Sequence, residues 1–200
     1  MPFSHDLGEG IVSPDAIANP PAYDRARAAV AYTDVARRMV QNLKFRDRTD
    51  LAPWMAGWMA RVGCELMADC QVVVPVPLHR RRFLMRGFNQ AAELARPLAV
   101  EGALDFAPQA LRRRRSTRQQ VGLAPAQRQT NVRGAFAVNE AAAIAIKGRR
   151  VLLVDDVLTT GATVSACAST LKRAGASGVD VLAFARVVPG DFRDGTSGPI

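Results

Sequence analysis

The chain has few cysteines, histidines and lysines, and no long apolar run. Its three cysteines, Cys64, Cys70 and Cys167, are odd in number and form no CxxC pair, which argues against a disulfide framework and against a zinc site. Buried structural thiols are the expectation for all three. The two histidines, His5 and His79, are too few and too far apart for a metal cluster. No apolar stretch approaches the roughly 20 residues needed to span a bilayer. Residues 1–10 carry Asp6 and Glu9 and lack a basic start followed by an apolar core, so no secretory signal is read there and the cytoplasm is the expected compartment. Also missing are a Gly-Lys-Ser/Thr phosphate loop, a GxGxxG fingerprint, any internal repeat and any linker that would divide the chain.

What remains is an ordinary globular composition with an unusual charge. Two hundred residues, 48% apolar and 22% charged, suit one domain with a sufficient core. The net charge is +9, and arginine carries nearly all of the positive side. Such a surface attracts polyanions: pyrophosphate and its sugar esters, nucleic acid or acidic lipids. Arginine also suits bidentate phosphate recognition better than lysine does.

The stretch Val151-Leu-Leu-Val-Asp-Asp-Val-Leu-Thr-Thr-Gly-Ala-Thr-Val164 organises the rest. Val151 to Val154 reads as a strand buried on both faces, the kind found in parallel sheets. Asp155 and Asp156 sit at its C-terminal end. Thr159, Thr160, Gly161, Ala162 and Thr163 then make a hydroxyl-rich turn into a helix with apolar Val164, Ala168, Leu171 and Ala174, which Gly175 stops. Ligands of open α/β sheets bind beyond the carboxyl ends of the strands. A helix N-terminus offers unpaired N–H groups and partial positive charge to a phosphate, Gly161 allows close backbone approach, and the threonine hydroxyls add donors. The carboxylates cannot bind that phosphate, but they accept hydrogen bonds from vicinal sugar hydroxyls or help hold hydrated Mg²⁺. Phosphate donors beside diol acceptors describe a site for a ribose 5-phosphate. The plain alternative is a buried strand followed by a Thr-rich turn.

Residues 1–22 lack periodicity and form an irregular arm. Tyr23 to Tyr32 is a strand or a short connector. A helix follows from Thr33, with Val35, Met39 and Leu43 on one stripe; Asp50 is expected to cap the next, whose Leu51, Trp54, Met55, Trp58 and Val62 keep helical spacing. The tryptophans are expected in the core rather than on a base-stacking platform. Gln71 to Pro77 is a short strand stopped by proline. The basic loop Leu78-His79-Arg80-Arg81 and onward to Arg86 comes next, before a helix through Phe88, Ala91, Ala95 and Leu98; its position suits holding pyrophosphate, with a plain solvated loop as the alternative. A weak strand is expected over Leu104 to Leu111. Residues 112–118 then hold five arginines, opening a polar stretch of about 20 residues, a length that is usually functional or disordered within a compact domain. A mobile lid is the leading reading there, a nucleic-acid patch the second and a solvated loop the third. Ala135 to Val138 resumes a strand, Ala141 to Ile146 connects, and Val179 to Val187 is the last parallel strand. Residues 188–200 are Gly-, Pro- and Asp-rich and expected to fray. Alternating strands and helices imply a parallel sheet covered on both faces.

Three separated blocks carry a family resemblance. The 151–164 stretch resembles the PRPP-binding motif of type I phosphoribosyltransferases. Pro75-Val-Pro-Leu-His79 with Arg86-Gly-Phe-Asn-Gln90 resembles the signature of ComF-type proteins, the competence-associated branch of that superfamily. Thr117, Gln120, Gly122, Leu123, Arg128, Asn131, Gly134 and Phe136 fall in that family's T-x-x-Q-x-G-L…R-x-x-N-x-x-G-x-F register, and Leu43-Lys44-Phe45 followed by Asp47-Arg48 matches its LKF-like segment. The resemblance covers roughly residues 23–187. Relatives usually carry an N-terminal four-cysteine zinc module, which is not found here. Pro2 to Gly10 looks like the segment that follows the module, so the expectation is either a shortened or misassigned start or a lineage that lost it.

The resemblance implies an α/β, type I phosphoribosyltransferase-like fold: a parallel central sheet with helices on both faces, plus an N-terminal helical segment. The domain would run over 23–187, with a flexible lid at about 112–133. By the same resemblance Asp155 and Asp156 hold the ribose hydroxyls and a Mg²⁺, directly or through water. Thr159 to Thr163 bind the 5-phosphate, and Leu78, His79, Arg80 and Arg81 lie in the pyrophosphate loop. The lid includes Arg114, Arg115, Thr117, Gln120, Arg128 and Asn131. The implied reaction is pentosyl transfer from PRPP to a nitrogenous base with release of pyrophosphate, although no general base stands out and the short C-terminus leaves little room for a base-binding hood. The alternative is a non-catalytic member that binds single-stranded DNA or nucleotides during DNA uptake, against which only Phe83 and Phe88 interleave the arginines. Expected partners are PRPP or another phosphoribosyl ligand, with single-stranded DNA and a second copy in a homodimer as further candidates.

Overall fold

The structure, a computed structural model, describes residues 20–45, 48–78, 87–114 and 134–187. In chain order the elements are β1 (Arg25–Ala31), α1 (Asp34–Phe45), a 3-10 turn (Thr49–Leu51), α2 (Ala52–Val62), α3 (Cys64–Asp69), β2 (Val72–Pro75), α4 (Gln90–Glu101), β3 (Asp105–Phe106), β4 (Leu111–Arg113), β5 (Phe136–Val138), a second 3-10 turn (Glu140–Ala145), β6 (Arg150–Leu158), α5 (Ala162–Arg173) and β7 (Gly178–Arg186). Five strands form one parallel sheet in the order β1-β7-β6-β2-β3. The parallel α/β architecture expected from the sequence is therefore present.

Strand alternation builds two cores from one sheet. Val151, Leu153, Val179, Val181 and Ala183 face α5 and pack on its Val164, Cys167, Ala168 and Leu171. Leu152, Val154, Leu182 and Phe184 face the other way, onto Leu43 of α1, Met55 and Met59 of α2, Leu66 of α3 and Leu94 and Leu98 of α4. All four residues of Val151–Val154 are 0% exposed, and burial of such an aliphatic side chain contributes roughly 1.5–3 kcal/mol. Among the described residues no helix is long and apolar enough to cross a membrane.

At the N-terminal ends of the strands an ion network closes the sheet. Asp180, fully buried, accepts from Arg25 Nε at 3.1 Å and Nη2 at 2.6 Å, and from Arg150 Nη1 at 3.1 Å. Gly178 makes room for it: a Cβ there would stand 2.8 Å from the Arg150 guanidinium and 3.0 Å from the Asp24 carboxylate.

Several local expectations change. Asp50 lies inside the first 3-10 turn and its carboxylate takes two 2.8 Å hydrogen bonds from Arg48, so it does not cap α2; that helix starts with Pro53 in its first turn and has no side-chain cap. Trp54 is 74% exposed and Trp58 43% exposed, although Trp58 stacks on Phe184 at 6.2 Å, because the buried stripe of α2 is Ala52, Met55, Ala56, Met59 and Ala60. Cys64 is exposed, while Cys70 and Cys167 are buried. The region expected to form one weak strand divides into β3, which extends the sheet, and β4, which pairs antiparallel with β5 in a separate ribbon. Arg112 and Arg113 belong to β4, so the arginine run begins in ordered structure rather than in a loop.

Candidate functional site

The strand β6 does not stop before the acidic pair. It runs on to Leu158, held by parallel pairing of Asp155 with Ala183 and Val157 with Ala185 on β7. Each carboxylate secures the backbone that follows it: Asp155 Oδ1 accepts the Asp156 N–H at 2.9 Å, and Asp156 Oδ1 accepts the Val157 N–H at 3.0 Å.

Consecutive strand residues point to opposite faces, so the two carboxylates diverge. Asp155 shares the face of Val151 and Leu153, above Cys167 of α5. Burial pushes the Asp155 carboxyl well above the usual carboxylate range, and the neighbouring Asp156 adds to the shift. Burial raises the Cys167 thiol in turn, reinforced by Asp155. Asp156 shares the face of Leu152 and Val154, where its Oδ2 forms an ion pair with Lys44 Nζ of α1. Among the described residues that buried oxygen has no other donor.

Thr159 and Thr160 follow as exposed residues, and Gly161 caps α5 with φ 76°. This left-handed conformation costs glycine little and L side chains more. A Cβ at Gly161 would also meet the Tyr23 hydroxyl at 3.3 Å. Ala162 and Thr163 are the first two residues of α5, at the end of the helix where the backbone N–H groups point outward. The segment before β1 folds over this helix, with Ala22 N–H donating to Ser165 Oγ at 3.0 Å.

Leu78 lies just past β2, whose end is tied to β6 by a 2.9 Å hydrogen bond from Val76 N–H to the Val154 carbonyl. Near the end of the arginine-glycine block stands Asn89, which caps α4 by accepting the Ala91 N–H at 3.2 Å and donates to the Val76 carbonyl at 3.0 Å. One asparagine thus joins the helix start to the strand end. A cleft of about 1000 Å³ opens beside it, lined by Leu78, Phe88, Arg96, Arg112, Arg113 and Arg114 among others. The acidic pair and the threonine loop do not line this cleft. Arg96 lies over the Phe106 ring at 5.1 Å and Arg113 over Phe136 at 5.3 Å, which orients both guanidiniums.

Asp155, Asp156, Thr159, Thr160, Gly161, Ala162 and Thr163 thus lie together at one end of the central strand, with Leu78 on the adjoining strand end. His79, Arg80, Arg81, Arg115, Thr117, Gln120, Arg128 and Asn131 lie outside the described residues. Among the described residues no group of three or more His, Cys, Asp or Glu side chains is placed to hold a metal ion. A magnesium ion would therefore depend on the acidic pair, with waters or the oxygens of a ligand completing its shell. The buried Asp156 Oδ2 is a suitable oxygen for it. Two neighbours of the site went unassigned in the sequence: Tyr23, which no pattern signals, and Lys44, which the LKF-like segment marked without giving it a chemical role.

The family model of the phosphoribosyl transferase domain matches residues 83–190. The chain is 33% identical over 178 residues to DNA utilization protein YhgH of Salmonella typhimurium, covering 86% of this chain and 76% of that protein. It is 28% identical over 179 residues to competence protein F of Haemophilus influenzae, covering 83% and 74% respectively. A solved structure of the allosteric regulatory enzyme of purine biosynthesis superposes with a TM-score of 0.43 and 23% identity, over 66% of this chain but only 25% of that one. The chain belongs to the phosphoribosyl transferase domain family, in its ComF-type branch.

Proposed function

We propose that the chain binds PRPP with Mg²⁺ at the C-terminal end of β6 and transfers the phosphoribosyl group to a nitrogenous base, releasing pyrophosphate. The observation that carries this reading is the spacing of donors and acceptors. The acidic pair stands only a few residues before the N-terminus of α5, and Gly161 turns the chain between them.

In this reading the first-turn N–H groups of α5 and the hydroxyls of Thr159, Thr160 and Thr163 take the 5-phosphate. Asp155 and Asp156 accept the ribose hydroxyls. Asp156 and Asp155 would hold magnesium, directly or through water, and the ion would supply positive charge near the departing pyrophosphate. The C1–O bond breaks as nitrogen attacks, through an oxocarbenium-like state. The protein's task is to position the reactants and exclude water. Leu78 to Arg81 and the arginines from Arg114 onward are the expected pyrophosphate contacts. The cytoplasm is the proposed setting.

Calorimetric titration of PRPP with Mg²⁺ at fixed salt tests this. Binding by the native chain and its loss in Asp155→Asn/Asp156→Asn is the expected result. Equal affinity in the double variant refutes the site.

A second reading takes the fold as a non-catalytic binder of single-stranded DNA. Relatives named for DNA utilization and competence favour it, as do the arginines of the cleft, Arg96 and Arg112 to Arg114. Its mark is DNA affinity that falls steeply with salt. Turnover of PRPP only in the presence of a base supports the enzyme instead.

A further inference from the structure

Lysine occurs three times in this arginine-rich chain, at Lys44, Lys147 and Lys172. Lys172 pairs with Asp24 at the far end of the sheet. Of the three, Lys44 is the one that pairs with the acidic residues of β6. It stands in the last turn of α1, next to Leu43, which is 0% exposed and fixes the helix against the sheet. Its ammonium meets Asp156 Oδ2, the oxygen left over once Oδ1 has taken the Val157 N–H. The Lys44 side chain keeps 25% of its surface exposed, and that of Asp156 keeps 14%. An arginine here would grip the carboxylate with a rigid fork; a lysine is a single hydrated charge on a flexible stem and withdraws more easily.

We propose that Lys44 is the built-in, displaceable counter-ion of the acidic pair: its ammonium occupies on Asp156 Oδ2 the place that an incoming divalent cation or sugar hydroxyl takes, and ligand entry moves it onto the ligand's phosphate oxygens. This rests on the reading of the acidic pair as the ligand site. Two like charges cannot share one buried oxygen, so Lys44 and the divalent cation compete in the free protein. Once a polyanionic ligand is present they act together, because the displaced ammonium gains new phosphate partners.

The two roles make opposite predictions for one substitution. Lys44→Met keeps most of the stem and removes the charge; Lys44→Gln is a second neutral variant that can still hydrogen-bond Asp156. Mn²⁺ binding to the protein alone, read from the paramagnetic signal of the free ion, is expected to tighten by roughly tenfold or more in both variants. PRPP binding without divalent cation is expected to weaken in the same variants. Lys44→Arg, which keeps the charge, should bind Mn²⁺ no more tightly than the native chain. Thermal unfolding provides a third readout: Lys44→Met should melt lower than native without metal and recover when Mn²⁺ is added. Equal Mn²⁺ affinity in the native and neutral variants overturns the proposal, as does a parallel loss of Mn²⁺ and PRPP binding. Asp156→Asn separates this failure from that of the site. If it abolishes Mn²⁺ and PRPP binding while the Lys44 variants behave as native, only the counter-ion role falls; if it binds both as native does, the ligand site itself is misplaced.

Discussion

Replacing Gly161 with alanine should cost stability and ligand affinity for two separable reasons. The first is conformational: φ at this position is 76°, and holding an L residue in the left-handed region costs about 1–2 kcal/mol. The second is steric, since the new Cβ would lie 3.3 Å from the Tyr23 hydroxyl oxygen, tighter than a comfortable contact. For a chain of 200 residues, 1 kcal/mol moves the melting temperature by about 2–4 °C. Gly161→Ala should therefore lower Tm by roughly 2–8 °C, with the contact adding to this. Tyr23→Phe removes the hydroxyl and should recover the steric part alone. Gly161→Asn tolerates positive φ better than alanine and should lose less of the conformational part. The assay is thermal unfolding of the four members of the Gly161→Ala/Tyr23→Phe cycle, followed by PRPP titration of those that fold. If Gly161→Ala costs nothing in the Tyr23→Phe background, the left-handed turn is not what the glycine is for. If stability falls but PRPP affinity holds, the turn does not aim the α5 N–H groups at a phosphate.

Two further predictions concern the opposite end of the sheet and the thiols. Asp180→Ala removes the buried carboxylate between Arg25 and Arg150, which are partly exposed and keep Asp69 and Asp24 as partners, and should destabilise the fold by about 1–3 kcal/mol, read from urea unfolding; no measurable loss would mean that those partners and water replace it fully. Burial, with Asp180 nearby, pushes the Cys70 thiol up to about 12 from an ordinary 9.0. The folded chain then keeps a proton that the unfolded chain releases above pH 9, so this group takes stability away as pH rises through 9 toward 12. At pH 8 an aromatic disulfide reagent should accordingly react quickly with exposed Cys64 alone, and with Cys70 and Cys167 only on unfolding. Rapid reaction of all three thiols in the folded protein contradicts the burial of the last two.

The parts legible in the sequence were those whose local signal and tertiary role agree. Val151 to Val154 read as a doubly buried strand because it is one, and the run from Thr159 into α5 announced itself by a hydroxyl-rich turn, a glycine and a helical stripe. Gly175 stops that helix as expected, with φ 99°. The length of β6 was hidden because aspartates are poor strand formers; here they continue the strand by bonding to the next backbone N–H. The tryptophans misled because α2 is apolar on more than one side, so spacing cannot say whether Trp54 and Trp58 or Met55 and Met59 face the sheet. Cys64 departs from expectation for a simpler reason: composition makes a thiol a good core residue on average, while position decides the individual case. Lys44 and Tyr23 reach the site across long sequence separations, where no periodicity reports contact.

The placement of β1 against β7 has a consequence for synthesis. Arg25 opens the sheet and meets Asp180 across 155 residues of sequence. At about 5–20 residues per second, the ribosome needs roughly 8–30 s to deliver that partner after the first strand emerges. Until then β1 is an unpaired edge and α1, with Lys44, has no acidic strand to close upon. Strands β6 and β7 are themselves made last, so the nascent chain carries α1 to α4 before it has the central strands that order them. A chaperone that holds the early helical segment, or a pause before residue 150, would act on yield in the cell without touching the stability of the finished fold.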